Sequence, residues 1–330
     1  MTTAEFIQEY REKDTRQLAL QSARFPDVDM PYALDQIKGW QTARRKLPTW
    51  AACDGIVYPP HLSMEQCSSE PTAQYKLNLA MEWARRVDHA SSMTDLTGGF
   101  GVDFSFTSCA FASATYVERN AQLCHMVEHN LPLLGIDNAK VVCADAVDYL
   151  STLDMQTMIF LDPARRDQHG AKTVMLADCT PDVVQLLPQL LKKSRFTMLK
   201  LSPMLDWHKA VEDLQGMVRE VHIVSVGGEC KELLLVLSEE MESELKVFCA
   251  DLEAGGSSLS GGSSSSSCSS CSSLSSEPSF PRTPSSPSAP SSPSAPSNAS
   301  LFVYAPGASR PAPNSKLKTQ NSCMSPTPQL

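Results

Sequence analysis

The stretch MTDLTGGFGVDF, residues 93–104, decides the fold that this sequence predicts. The short run at residues 93–96, which includes Asp95, leads into a turn with three glycines, and Asp103 follows the turn. Glycine permits sharp turns and lets the backbone approach a ligand closely. The dinucleotide-binding pattern GxGxxG is incomplete, because its third glycine position holds Phe104. Two carboxylates would also repel a pyrophosphate, whereas they would attract a cation, so we expect a cationic ligand at this turn.

Seven short apolar runs follow one another after residue 92, and helical patterns separate most of them. The runs are residues 93–96, 115–117, 141–143, 158–161, 196–201, 221–226 and 233–237. This alternation predicts a parallel sheet with helices on both faces. Only residues 227–232 separate the last two runs, which is too few for a crossover helix, so these strands should form an antiparallel hairpin. The predicted fold class is α/β, with a doubly wound, seven-stranded, Rossmann-like sheet that ends in an antiparallel hairpin.

Composition divides the chain into three parts. Residues 1–88 have mainly helical periodicity and predict a small, mostly helical domain. Residues 89–253 contain the alternating pattern and predict the α/β domain. Residues 254–330 are rich in serine and proline and cannot bury enough apolar surface to offset their ordering entropy, so we expect a disordered tail. Within that tail, LFVY at residues 301–304 is either a short docking strand or a chance apolar tetrad.

Charge and cysteine usage exclude several classes of protein. The formal net charge of −9 argues against a generally basic nucleic-acid wrapper, while a local basic patch stays compatible with it. Eleven cysteines show no repeated metal-ligand spacing, so no metal site is expected. Their odd number and the absence of a signal-peptide pattern predict reduced thiols and a cytoplasmic location. No apolar run approaches the roughly 20 residues that cross a bilayer, so no membrane partner is expected.

Acidic residues follow four of the predicted strands. S-adenosylmethionine fits them, because it carries a sulfonium and an ammonium and has no phosphate. Asp95 lies at the first strand. Glu118 ends the second strand and would accept hydrogen bonds from the ribose hydroxyls. Asp145 follows the third strand, where it would bind the adenine amine or cap the next helix. Asp162 ends the fourth strand and would lie beside the transferable methyl group. Such strand-end positions meet in the binding crevice of open α/β sheets.

Five motifs carry a resemblance to a known family. They are EQCSSEPTAQYK, DLTGGFGVD, YVERN, FLDPARRD and KLSPMLD, all within residues 1–253. This part of the chain resembles class I S-adenosylmethionine-dependent methyltransferases, and more narrowly a bacterial group with a ferredoxin-like or helical N-terminal segment and a THUMP-like C-terminal domain. THUMP domains accompany RNA substrates, chiefly transfer RNA, so the resemblance implies an RNA acceptor. In this chain the serine- and proline-rich tail begins where a THUMP-like domain would begin.

The resemblance also implies roles for individual residues. The predicted cofactor-binding residues are Asp95, Thr97, Gly99, Gly101, Asp103, Glu118 and Asp145. Asp95, Gly99 and Gly101 would hold the methionine part of the cofactor, and Asp162 would face the acceptor. Arg165 and Arg166 join Asp162 as predicted catalytic residues, because guanidinium groups bind phosphates bidentately and stack on bases. Alternatively these arginines form a solvated pair or a salt bridge with the adjacent Asp167.

The predicted pocket favours methylation of nitrogen or oxygen over carbon. Methylation at pyrimidine C5 needs a cysteine nucleophile, and neither KLSP at residues 200–203 nor DPAR at residues 162–165 contains one. Cys179 lies further on and is typical of a small buried residue near a helix start. Methylation of a small molecule or protein, and a catalytically silent RNA-binding protein with a relic pocket, remain alternatives.

Several polar residues allow two interpretations each. Arg44, Arg45 and Lys46 end a predicted helix, where they would complement the helix dipole or contact phosphate. Lys200 is either an ordinary strand-end lysine or part of the pocket mouth. Residues 65–70 would close over the ligands, or their serines would cap the following helix.

Overall fold

The computed structural model describes residues 1–87, 90–165, 175–239, 244–253 and 299–304. For residues 61, 62, 165 and 299–304 it describes the backbone alone. The predicted catalytic Arg166 and most of the predicted disordered tail lie outside the described residues. None of the described helices is long and apolar enough to span a membrane.

The first 87 residues contain helices and connecting loops, with no strand among them. The helices are α1 (Thr3–Tyr10), α2 (Thr15–Ala19), α3 (Met30–Lys46), α4 (Pro48–Ala52), α5 (His61–Gln66) and α6 (Glu70–Arg86). Polar caps start three of them, because the side chains of Thr2, Asp14 and Asp29 accept hydrogen bonds from backbone N–H groups of the first turn. The N-terminal segment was expected to be either ferredoxin-like or helical, and its described residues are helical.

In the part of the chain that the structure describes, nine strands form one sheet. They are β1 (Ser92–Asp95), β2 (Ser113–Glu118), β3 (Ala139–Cys143), β4 (Gln156–Leu161), β5 (Ser194–Leu201), β6 (Val218–Val226), β7 (Glu229–Leu237), β8 (Lys246–Leu252) and β9 (Ala299–Tyr304). The first seven contain the seven predicted apolar runs and stand in the order 3-2-1-4-5-7-6. Strands β1 to β5 are parallel, and β7 pairs antiparallel with both β5 and β6, as the short connection predicts.

Two strands extend the sheet beyond the seven that were predicted. Strand β8 pairs parallel with β6, and β9 pairs antiparallel with β8. Strand β9 contains the LFVY tetrad inside the segment predicted to be disordered, so the docking-strand interpretation matches its backbone. Pairing with β8 supplies backbone hydrogen-bond partners for these residues. The sequence of the tetrad alone does not reveal such partners.

Helices cover both faces of the sheet. The helices that follow the strands are α7 (Val102–Thr107), α8 (Ala121–Leu133), α9 (Ala146–Thr152), α10 (Val183–Lys193) and α11 (Trp207–Asp213). Side chains of α6, α7 and α8 share one core with one face of the central strands, and α9, α10 and α11 share a second core with the other face. Alternation along β4 shows this division: Met158 and Phe160 enter the first core, whereas Ile159 and Leu161 enter the second.

Residues 180–182, Thr-Pro-Asp, are typical of a helix start with Thr180 as the cap. In the structure Asp182 caps α10 instead, because its Oδ1 accepts hydrogen bonds from the N–H groups of Val184 and Gln185. Thr180 instead pairs with Ala164 in a two-residue antiparallel ladder next to the carboxyl end of β4.

Candidate active site

Three cavities that share residues open beside the carboxyl ends of the parallel strands. The glycine-turn cavity, of about 200 Å³, lies between residues 97–103, Asp95, Asp162 and Lys200. The strand-end cavity, of about 570 Å³, reaches from the same turn to Glu118 and Asp145, which follow β2 and β3. The basic cavity, of about 470 Å³, lies on the side of the N-terminal helices. This is the crevice position in which open α/β sheets bind ligands.

Asp95 ends β1 and lies at the base of the glycine-turn cavity. Its side chain is buried, and its Oδ1 accepts a hydrogen bond of 2.9 Å from the Thr97 N–H. Burial raises the pKa of Asp95 well above its usual range, and the nearby carboxylates of Asp103 and Asp162 raise this pKa further. A cation bound in the cavity would therefore stabilise the ionised form of this carboxyl group.

The glycine turn depends on two close backbone contacts with β2. Gly99 has φ +54°, its N–H donates to Glu118 Oε2 over 3.1 Å, and its carbonyl accepts a hydrogen bond from the Tyr116 hydroxyl. At Gly98 a Cβ atom would lie 2.1 Å from the Tyr116 ring, so only glycine fits there. The turn holds its backbone open towards the cavity because these positions have no side chains.

A buried ion network supports the turn from below. Lys76 of α6 is fully buried, and its Nζ lies 2.5 Å from Glu232 Oε1 and 3.1 Å from Asp103 Oδ1. Ser68 donates a 2.8 Å hydrogen bond to Asp103 Oδ2, which also lies 3.1 Å from Lys200 Nζ. Burial alone would raise the pKa of Asp103, but Lys200 and Lys76 hold this pKa below its usual range. Asp103 is therefore ionised and already paired within the protein.

Asp162 connects the network to the open space of the site. Its N–H donates to Thr97 Oγ1 over 2.6 Å, and its Oδ2 lies 2.6 Å from Lys200 Nζ. The side chain stays 41% exposed, and the residue lines both the glycine-turn and the strand-end cavities. A carboxylate oriented in this way can contact a second ligand that enters from solvent. Lys200 thus lies inside the site rather than at an ordinary strand end.

Glu118 and Asp145 both line the strand-end cavity. Glu118 accepts hydrogen bonds from the N–H groups of Gly99 and Asn120. Asp145 caps α9, because its Oδ1 accepts a 2.8 Å hydrogen bond from the Val147 N–H. The helix-cap interpretation of Asp145 therefore holds for this oxygen, and its place in the cavity leaves a ligand role as a proposal.

The predicted cofactor-binding residues thus line two connected cavities. The side chains of the two predicted catalytic arginines are not among those that the structure describes. The backbone of Arg165 pairs with Cys179, and Arg166 lies outside the described residues. Cys179 is buried, in agreement with its interpretation as a small buried residue. Among the described residues, no group of three or more His, Cys, Asp or Glu side chains is arranged to hold a metal ion.

Within residues 65–70, which were predicted to close over the ligands, sequence reasoning did not single out Cys67, which lines both the glycine-turn and the basic cavities. Its Sγ lies 3.2 Å from the Met64 carbonyl oxygen, and burial raises the pKa of its thiol. A thiol with a raised pKa is a poor nucleophile at neutral pH. The only available signal was its place in EQCSSE, just before the helix that enters the core.

Comparison with known proteins agrees with this architecture. A protein from Porphyromonas gingivalis W83, assigned as a methyltransferase, has a crystal structure that matches with 30% identity and a TM-score of 0.63 over 74% of this chain. The fold is that of a class I methyltransferase. This chain spans 60% of the length of that protein.

Other solved structures match more distantly. An RNA methyltransferase assigned in Pyrococcus horikoshii has 12% identity and a TM-score of 0.41, with 60% of this chain and 96% of that one covered. A ribosomal RNA methylase from Streptococcus thermophilus has 13% identity and a TM-score of 0.37, with 49% of this chain and 96% of that one covered. No protein-family model and no curated protein sequence matches the chain.

Proposed function

We propose that this protein is an S-adenosylmethionine-dependent methyltransferase that acts on a nitrogen or oxygen of structured RNA. The observation that carries the proposal is the charge of the two connected cavities. Among the described residues, three carboxylates and one lysine line the glycine-turn cavity, and four carboxylates and one arginine line the strand-end cavity. A donor with a sulfonium and an ammonium suits such a cavity electrostatically, whereas a phosphate-bearing nucleotide does not.

The residues also fit the separate parts of the donor. Asp95 would stabilise the cationic amino-acid end, and the open backbone at Gly99 and Gly101 would leave room for it. Glu118 would accept hydrogen bonds from the ribose, and Asp145 would accept one from the adenine amine. When bound, the donor supplies an electrophilic methyl group on a cationic sulfur.

Asp162 would orient the acceptor beside the donor. Its Oδ2 is held by Lys200, and its backbone is held by Thr97, so its carboxylate has little freedom to rotate. Alignment of two reactants in this manner lowers the barrier of a displacement reaction by several kcal/mol. The carboxylate can also accept a hydrogen bond from the acceptor N–H or O–H. A nitrogen or oxygen acceptor is favoured because neither residues 162–165 nor residues 200–203 supply a cysteine nucleophile. Burial also raises the pKa of the nearby Cys67 thiol, which disfavours its nucleophilic thiolate form.

Support for RNA comes from the resemblance to the group with a THUMP-like domain. The helical N-terminal segment and motifs such as YVERN and FLDPARRD are shared features of that group. We propose membership of this group, with a cytoplasmic location, and with residues 1–88 taking part in acceptor recognition. Arg165 and Arg166 follow Asp162 closely in sequence and would contact the nucleotide.

Calorimetry with the donor, followed by methyl-transfer assays, tests the proposal. We expect the intact, folded protein to bind S-adenosylmethionine and to transfer a labelled methyl group from it into the RNA fraction of a cell extract. Label in the protein or small-molecule fraction would instead favour another acceptor, and RNA binding without turnover would favour a relic pocket. A folded protein that fails to bind the donor would refute the assignment altogether.

Donor binding should release protons, because Asp95 has a raised pKa. Below that pKa the carboxyl group is protonated, and the arriving cation favours its ionised form. We therefore expect release of up to about one proton per donor and an affinity that weakens as the pH falls through this pKa. Calorimetry in two buffers of different ionisation enthalpy measures the release. The Asp95→Asn variant should release fewer protons, and identical enthalpies in both buffers for the wild type would contradict the prediction.

A further inference from the structure

The basic cavity has the opposite charge to the two cavities beside it. Of the side chains that the structure describes there, four are cationic, Arg45, Lys46, Lys200 and Lys231, and two are carboxylates, Glu65 and Glu232. The whole chain has a formal net charge of −9, so a cavity with twice as many cations as carboxylates is unusual for this protein. Closely placed cations repel one another, and an anionic ligand would relieve that repulsion.

Two of the four cations are already bound within the protein. Lys46 Nζ donates to the carbonyl oxygens of Met64 and Glu65 over 3.0 and 2.6 Å, at the end of α5. Lys200 Nζ lies within 3.1 Å of Asp103 and within 2.6 Å of Asp162. These two lysines shape the cavity and contribute charge, but most of their donors are committed.

The other two cations have donors to offer. Arg45 is exposed at the end of α3, and its guanidinium makes no hydrogen bond or ion pair with any residue that the structure describes. Lys231 pairs with Glu229 at 2.6 Å, and the side chains are 43% and 75% exposed, respectively. An exposed pair of this kind contributes little and exchanges readily. Arg45 and Lys231 come from the N-terminal helices and from strand β7, so an anion between them would contact both parts of the chain.

The basic cavity is continuous with the glycine-turn cavity. Both are lined by Gln66, Cys67, Ser68 and Lys200. An acceptor could therefore place its reactive atom near Asp162 and an anionic group on the other side of Lys200. The volume of about 470 Å³ lies in the range of ligand pockets, which is ample for a nucleotide phosphate and its sugar.

We propose that the basic cavity is a phosphate-binding subsite for the methyl acceptor, with Arg45 and Lys231 as its binding residues. The inference rests on the proposed function for the identity of the acceptor, but phosphate binding itself does not depend on it. The guanidinium of Arg45 offers a planar set of donors that matches two phosphate oxygens, and Lys231 adds a point charge. Phosphate is the anion that RNA carries at every nucleotide.

Inorganic phosphate is the first probe, with acetate at equal ionic strength as the comparison. We expect phosphate to bind the full-length protein measurably by calorimetry and acetate to bind more weakly. The variants Arg45→Gln and Lys231→Gln should each weaken phosphate binding about tenfold or more, as expected for loss of one charge-assisted contact. Lys38→Gln is the matched control, because Lys38 is an exposed cation on the same helix α3 that lines none of the three cavities.

Donor affinity separates this inference from the proposed function. Neither Arg45 nor Lys231 lines the donor cavities, so both variants should bind S-adenosylmethionine as the wild type does. With RNA as acceptor, the variants should raise KM about tenfold with kcat little changed. RNA with and without a 5′-phosphate distinguishes a terminal phosphate from an internal phosphodiester as the bound group.

Three results would overturn the phosphate subsite. They are undiminished phosphate binding by both variants, equal binding of acetate and phosphate, or an equal loss in Lys38→Gln. A protein that binds the donor and methylates RNA but gives any of these results would refute the subsite and leave the methyltransferase proposal standing. A wild-type protein that binds phosphate in this cavity but does not bind the donor would refute the methyltransferase proposal and leave the phosphate subsite standing.

Discussion

Replacing Lys76 by methionine should lower the free energy of unfolding by about 3–5 kcal/mol. Methionine keeps much of the length of the lysine side chain but removes a cation that contacts both Glu232 and Asp103 inside the protein. Two carboxylates would then remain buried with less compensation, and an uncompensated buried charge is costly. Urea unfolding at neutral pH, followed by circular dichroism, measures the loss.

Arg44→Met is the matched control for this prediction. It also replaces a paired cation by methionine, but Arg44 and its partner Glu12 are mostly exposed at 3.3 Å. Exposed pairs contribute less than about 1 kcal/mol, so this variant should be nearly as stable as the wild type. Equal losses in both variants would contradict the assigned role of Lys76.

The loss of folding stability in the Lys76→Met variant should also depend on pH. Burial raises the pKa of Glu232, which Lys76 counteracts, so without Lys76 this carboxyl group should protonate more readily. Protonation removes the buried charge, and the difference from the wild type should therefore shrink as the pH is lowered. The double variant Lys76→Met with Glu232→Gln should be less destabilised than the sum of the two single variants, because the residues are in contact.

Replacing Gly99 by valine should weaken donor binding about 100-fold, equivalent to about 2.7 kcal/mol. Gly99 has φ +54°, which a β-branched residue adopts only with strain. Relief of that strain would move the N–H away from Glu118 and the carbonyl away from Tyr116, and the new side chain would occupy the donor cavity. Calorimetric titration with S-adenosylmethionine measures the loss of affinity.

Gly135→Val separates loss of the site from loss of stability. Gly135 has φ +72°, and among the described residues beyond its chain neighbours no heavy atom lies within 4 Å of the position that a Cβ atom would take there. The residue also lines none of the three cavities. Both variants should lose roughly 1–3 kcal/mol of stability through backbone strain, while Gly135→Val should retain wild-type donor affinity. Equal donor affinity in the two variants would refute the place of Gly99 in the site.

The strands and the acidic residues that follow them could be predicted from sequence for a simple physical reason. Apolar runs mark buried strands, and the residues just after parallel strands must meet at one edge of the sheet. The spacing therefore brought Asp95, Glu118, Asp145 and Asp162 to one edge without knowledge of long-range packing. The hairpin was predictable because its connection is too short for a helix.

Contacts between distant parts of the chain could not be predicted in the same way. Lys76 lies 156 positions before Glu232, and nothing local indicates that they meet. One signal was available: Lys76 stands between Ala73 and Ala80 on the buried face of α6, where a lysine needs an internal partner. The basic cavity was likewise hidden, because its cations come from α3, β5 and β7 and only the fold brings them together.

The contact of Trp50 with Phe100, whose ring centroids lie 4.9 Å apart, limits how the chain can be dissected. Phe100 of the glycine turn and Val102 at the start of α7 share a core with Ala43 and Trp50 of the N-terminal helices and with Leu47 between α3 and α4. A recombinant fragment that starts at residue 89 would leave this apolar surface in water and would also lack Lys76. We therefore infer that the N-terminal helices and the sheet fold as one unit. Removal of residues 1–88 should yield an aggregation-prone product.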